Sequence, residues 1–157
     1  MRCKLLISAA LLGCLSACGQ EQSGVGAQAH EGSTPQPLEL SPVTFTDIER
    51  ENMFGAGCSF APAGGGMGAL AIAQSDAGYL KFGDRVERFE ADMNSAELPL
   101  GARQRYSGSA YSFELQMEQG TGEKSGYETV NYPGHLTVRN EAGEVAFDSK
   151  GVVQCGS

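Results

Sequence analysis

The sequence predicts an all-β domain, mainly antiparallel, folded as a small barrel or sandwich with little helix. Tyr111, Phe113, Leu115 and Met117 alternate with Ser112, Glu114, Gln116 and Glu118. That period of two marks a strand with one buried face and one wet face. Other short apolar or β-branched runs are separated by Gly, Asn and Asp turns, the pattern of antiparallel barrels and sandwiches. The chain also carries 22 Gly, no Trp and only 8% aromatic residues, a composition of turns more than of helices.

In chain order, Arg2 and Lys4 precede an apolar run from Leu5 to Leu15, interrupted by Ser8 and with Gly13 and Cys14 near its end. A basic start, a short apolar centre and small residues before a cut site make a secretory signal. The run is shorter than the roughly 20 residues a membrane helix needs. Leu15-Ser16-Ala17-Cys18 resembles the lipobox of bacterial lipoproteins, and Leu11-Leu12-Gly13-Cys14 is a second, weaker match. The resemblance implies cleavage between Ala17 and Cys18, with Cys18 as the lipid attachment site and the membrane as a partner through that lipid. Gly19, rather than Asp, follows Cys18, which implies the periplasmic face of the outer membrane.

Removal of residues 1–17 takes away Arg2 and Lys4, so 11 basic residues become 9 against 19 acidic, a net charge of −10. Such a balance suits solubility and a cationic partner and argues against nucleic acid, whose phosphates require a basic surface. The length fits one domain. Residues 18–40 are rich in Gln, Gly, Ser, Ala and Pro without apolar periodicity, so the composition predicts a flexible linker after the acylated Cys18. His30 lies in it. Residues 41–157 form the expected β-rich domain.

Within that domain, Pro42–Thr46 reads as a first strand and Asp47–Asn52 as one helical turn capped by Asp47. Two glycines before Cys58 predict a bend. Ala69–Ala73 and Gly78–Phe82 are strands, and Gly83-Asp84 is a two-residue hairpin into Arg85–Glu90. Asp92–Leu98 has no clear pattern, and Pro99-Leu100-Gly101 breaks the chain. Beyond the alternating strand, residues 119–126 read as a polar loop and Tyr127–Val130 as a brief pairing. Tyr132-Pro133-Gly134 reads as a turn, His135–Arg139 as a strand, Asn140–Gly143 as a turn, and Glu144–Asp148 as its hairpin partner. Lys150-Gly151 reads as a break before a last strand, Val152–Cys155.

Cys3 and Cys14 leave with the signal and Cys18 is acylated, so Cys58 and Cys155 remain. In an oxidising compartment they are expected to form a disulfide. A small barrel fits a bond between the two ends of the domain and removes exposed sheet edges. The rival role for Cys58 is a nucleophile, which would need a base from His30 or His135. The glycine-rich run Pro62–Gly68 lacks the Gly-Lys-Ser/Thr ending of a phosphate loop and reads as a connection. Glu114 and Glu118 on the wet strand face read as solvated carboxylates. No His, Cys or carboxylate cluster shows metal-ligand spacing, so neither metal nor cofactor is expected.

Gly101-Ala102-Arg103, followed after Gln104 and Arg105 by Tyr106, faintly resembles a loop of the membrane-bound inhibitors of C-type lysozyme. Those are small lipid-anchored β-barrels with a terminal disulfide and a Ser-Gly-Ala-Arg/Lys-Tyr loop. Leu100 stands here in place of the Ser. The resemblance implies Arg103, Arg105 and Tyr106 as binding residues and lysozyme as a partner. The leading expectation is broader: a lipid-anchored envelope protein with a non-catalytic binding or structural domain. The lysozyme inhibitor and an envelope hydrolase are the alternatives.

Overall fold

The computed structural model describes residues 37–66, 68–118, 120 and 122–157. The signal, Cys18 and His30 lie outside them. The elements are α1 (Phe45–Arg50), β1 (Gly57–Pro62), β2 (Ala71–Ala73), β3 (Ala77–Phe82), β4 (Arg85–Ala91), β5 (Arg105–Ser107), β6 (Tyr111–Met117), β7 (Glu123–Lys124), β8 (Val130–Asn140) and β9 (Val145–Gly156). A short 3₁₀ turn, Pro99–Gly101, lies between β4 and β5.

Every strand pairing is antiparallel. β1 to β6 follow one another around the wall, β8 closes onto β6, and β9 returns to β1, making a closed eight-stranded barrel with β7 attached beside β8. Closure removes the sheet edges that a sandwich would have to protect. Eight strands leave an interior just wide enough for side chains. Phe60, Leu80, Phe89, Tyr106, Phe113, Leu115, Leu136, Val138 and Val153 fill it, each 2% exposed or less. Tyr106 stacks on Phe113 with ring centroids 4.7 Å apart, and Phe89 meets Phe113 edge-on at 5.3 Å. These offset and T-shaped contacts are the ones the ring quadrupole favours.

The two mouths are plugged differently. At one, a strap beginning at Pro37 crosses the opening. Leu38 N–H donates to Ala146 O at 3.1 Å and Ser41 N–H to Lys81 O at 2.8 Å. Leu38 and Leu40 pack on the core there with Phe82, Tyr111 and Phe147. The domain therefore engages residues 37–40, which composition assigns to the linker. At the other mouth the 3₁₀ turn sits inside the rim, with Leu98 packed on the core and Ala102 fully buried.

Cys58 of β1 lies directly opposite Cys155 of β9, and a disulfide joins them across 97 residues of sequence. The expected pairing is the one observed. It ties the first wall strand to the last, so the covalent ring encloses all eight. For a loop of this length the chain-entropy model assigns roughly 4–5 kcal/mol.

The expected first strand at Pro42–Thr46 does not form. Val43 makes only an isolated bridge to Ala69, and the chain enters α1 at Phe45. Thr44 and Asp47 outweigh the β-branched alternation by forming a capping box, so Thr44 is the cap and Asp47 the third helical residue. The expected turn at Tyr132–Gly134 and break at Lys150-Gly151 are also absent. β8 and β9 run straight through them, with Gly134 paired to Gly151. These two glycines serve close approach. A Cβ on Gly151 would lie 2.1 Å from Ala61 O, and one on Gly134 would lie 2.4 Å from Val153 Cγ2. Pro133 fits because it lies one residue beyond the last register pair of β6 and β8, where its carbonyl still accepts from Glu118 N–H at 2.9 Å and only one terminal ladder bond is lost.

Gly151→Ala is expected to destabilise the barrel by about 1–3 kcal/mol in denaturant unfolding, the usual range for overpacking. Gly66→Ala, with nothing within 4 Å of the added Cβ, is expected to change stability by less than about 0.5 kcal/mol.

Candidate binding surfaces

Tyr106 ends up inside the barrel. Its hydroxyl donates to Gln74 O and accepts from Arg103 N–H, each at 2.7 Å. Burial pushes the phenol above its ordinary pKa, opposed by the Arg103 N–H and charge. This bond pins the segment after the 3₁₀ turn to the end of β2. Tyr106 therefore positions the loop and offers no surface of its own, contrary to the contact role expected for it.

Arg103 and Arg105 part company with it. The Arg103 side chain is 18% exposed and reaches Glu97 at 3.4 Å, while its Nε finds no partner among the described residues. Arg105 points outward, 54% exposed, 3.2 Å from Asp92 and opposite Glu114 in register. Asp92, Arg105, Ser107, Ser112, Glu114 and Arg139 line a shallow hollow of about 340 Å³ on the outer wall. Two cations and two carboxylates around one hollow make a mixed polar surface rather than a single-sign funnel.

The remaining titratable candidates are engaged locally. Glu114 accepts from the amides of Gln104 and Gln116 at 2.9 Å each. His135 Nε2 lies 2.9 Å from Asp148 Oδ2, and Thr137 Oγ1 donates to Asp148 at 3.0 Å. Partial burial raises the Asp148 carboxyl, but His135 and Thr137 outweigh it and leave the group below the ordinary range. Cys58 is bonded to Cys155 and holds no free thiol, so it is not a nucleophile. No group of three His, Cys, Asp or Glu among the described residues could hold a metal.

Two surface features were not singled out from the sequence. The first is Leu100, 49% exposed at φ +61° on the 3₁₀ turn. A left-handed non-glycine residue is uncommon, and Pro99-Leu100-Gly101 announces a break without saying which residue takes that conformation. The second is the flank formed by α1. Phe45 and Phe54 are 65% and 59% exposed, with centroids 6.3 Å apart at an interplanar angle of 70°. Phe45 looked like a strand residue in a β-branched run, and nothing placed Phe54 beside it.

α1 is clamped to the barrel by one buried carboxylate. Asp47 accepts from Lys81 Nζ of β3 at 2.7 Å, from Thr44 N–H at 2.8 Å, from Thr44 Oγ1 at 2.7 Å and from Arg50 at 2.8 Å. The Lys81 contact, then the Thr44 donors, hold its pKa well below the ordinary carboxylate range. The Gln74 side-chain amide donates to Met53 O at 3.1 Å and ties down the chain after the helix.

No protein-family model matches the chain, and neither a curated protein nor a solved structure shows significant similarity to it.

Tyr106→Phe is expected to lower stability by roughly 1–3 kcal/mol, since it leaves two buried backbone groups unpaired without removing the ring. The Asp47 clamp is charged when folded, so its contribution is present above the unfolded pKa of about 4 and is lost as pH falls below it. Acid unfolding followed by circular dichroism is expected to show this loss. Asp47→Asn is expected to be less stable at neutral pH and to lose part of the acid dependence.

Proposed function

We propose that the chain is a lipid-anchored protein of the bacterial cell envelope. In this reading an acylated Cys18 holds it on the periplasmic face of the outer membrane, and the barrel is a non-catalytic binding or structural domain. The observation that carries the reading is the bond between Cys58 and Cys155, placed in register where the first and last wall strands meet. Disulfides persist in oxidising compartments, and Leu15-Ser16-Ala17-Cys18 supplies both an export route and an anchor. Several chains of acyl carbon hold a protein far more firmly than one, at about 0.8 kcal/mol per buried CH₂.

The non-catalytic part of the reading is supported by how the polar groups are used. Glu114 accepts from neighbouring side-chain amides and Asp148 from the Thr137 hydroxyl on the outer wall, and the interior is filled with apolar side chains. The partner class that suits a net charge of −10 is a cationic envelope protein. A C-type lysozyme is the narrower case, with Arg103 and Arg105 as the binding residues left near the surface.

Mass spectrometry of the chain purified from membranes of a bacterial host tests the anchor. The expected product begins at Cys18 and carries diacylglyceryl and acyl groups, and Cys18→Ser is expected to leave the membrane fraction. An unmodified N-terminus would contradict the reading. Titration of a C-type lysozyme with the purified protein decides the narrower case, and absence of inhibition at micromolar excess ends it.

A further inference from the structure

We infer that the α1 flank bearing Phe45 and Phe54 is the face on which the anchored barrel lies against the lipid bilayer. The inference rests on the proposed lipid at Cys18. Phe45, the first residue of α1, and Phe54, four residues past its end, form an exposed aromatic pair, 65% and 59% accessible. Ile48 and Met53 of the same segment line a shallow hollow with Ile72 and Gln74.

The route of the chain points to the occupant. Nineteen residue steps separate Cys18 from Pro37, about 65 Å at full extension. The strap then runs from Pro37 through Val43 directly into α1. Among the described residues, α1 with Phe45 at its start is therefore the first element that follows the anchor.

Two phenyl rings alone bind a membrane less well than one myristoyl chain, which is itself marginal. A short covalent tether changes this, because it sets an effective concentration in the millimolar range and makes weak contact sufficient. Glu49 and Glu51 lie between the two rings in sequence, the intervening Arg50 is paired with Asp47 and Glu51, and the mature chain is strongly acidic. The surface it meets is therefore a zwitterionic one, and anionic lipid would repel it.

The chain has no Trp, so Phe54→Trp places a single indole on this face. Gln116→Trp places one on β6, four strands around the barrel from β2 in either direction. Each acylated full-length variant is reconstituted into vesicles of brominated phosphatidylcholine. Phe54→Trp is expected to show a blue shift and a roughly twofold loss of emission, as for a ring at the headgroup boundary. Gln116→Trp is expected to stay water-like, and added anionic lipid is expected to weaken the first effect. Equal quenching of the two variants, or a water-like Phe54→Trp in protein that floats with the vesicles, would overturn the inference. Protein that fails to float would overturn the anchor reading and this inference with it. A detergent-free dimer that dissociates on Phe45→Ser with Phe54→Ser would assign the face to a second copy and overturn it as well.

Discussion

The barrel depends on closure between strands that are far apart in sequence. β1 meets β9, so the wall cannot be completed until almost the whole chain is in place. Non-local closure of this kind carries a large loop entropy, and the Cys58–Cys155 bond reduces it in the unfolded state. With that bond in place, the interior is one continuous packing of Phe, Leu, Val and Tyr rings and branches. The strap residues Leu38 and Leu40 finish one mouth, and Leu98 with Ala102 finishes the other.

The polar side chains around this core mostly position backbone. Tyr106 uses its hydroxyl to hold the loop from Arg103 against β2. Asp47 gathers Thr44, Arg50 and Lys81, and so fixes α1 on the outside of the wall. In each case a buried polar group is satisfied by partners from separate elements, the condition under which such groups specify one arrangement. What remains free for recognition is the outer surface. It comprises the mixed-charge hollow at Arg105 and Arg139, the strained Leu100 turn and the aromatic flank of α1.

Much of the architecture was legible in local pattern. The alternation from Tyr111 to Met117, the Gly83-Asp84 hairpin and the turn at Asn140–Gly143 are all short-range signals, and each marks the element observed. The Cys58–Cys155 pair followed from the expected export and elimination of the other cysteines. Failures arose where tertiary closeness determines the residue. Gly134 and Gly151 look like turn residues, yet they sit mid-strand because a neighbouring backbone leaves no room for a Cβ. Pro133 looks like a breaker, yet it sits just past the end of the β6 pairing, where the loss of one ladder bond is tolerated. β5, three residues long, has no pattern of its own. Tyr106 looked like a surface contact because a motif carries no information about which way a ring turns; the alternation Arg105, Tyr106, Ser107 faces it inward.

The central proposal is that this barrel matures outside the cytoplasm as a covalently closed ring. Thiol alkylation of the chain recovered from a bacterial envelope fraction, followed by mass analysis with and without reduction, tests it most directly. The account requires that Cys58 and Cys155 resist alkylation until reduced and then each gain one label. Labelling of either residue in the unreduced, folded protein would contradict it.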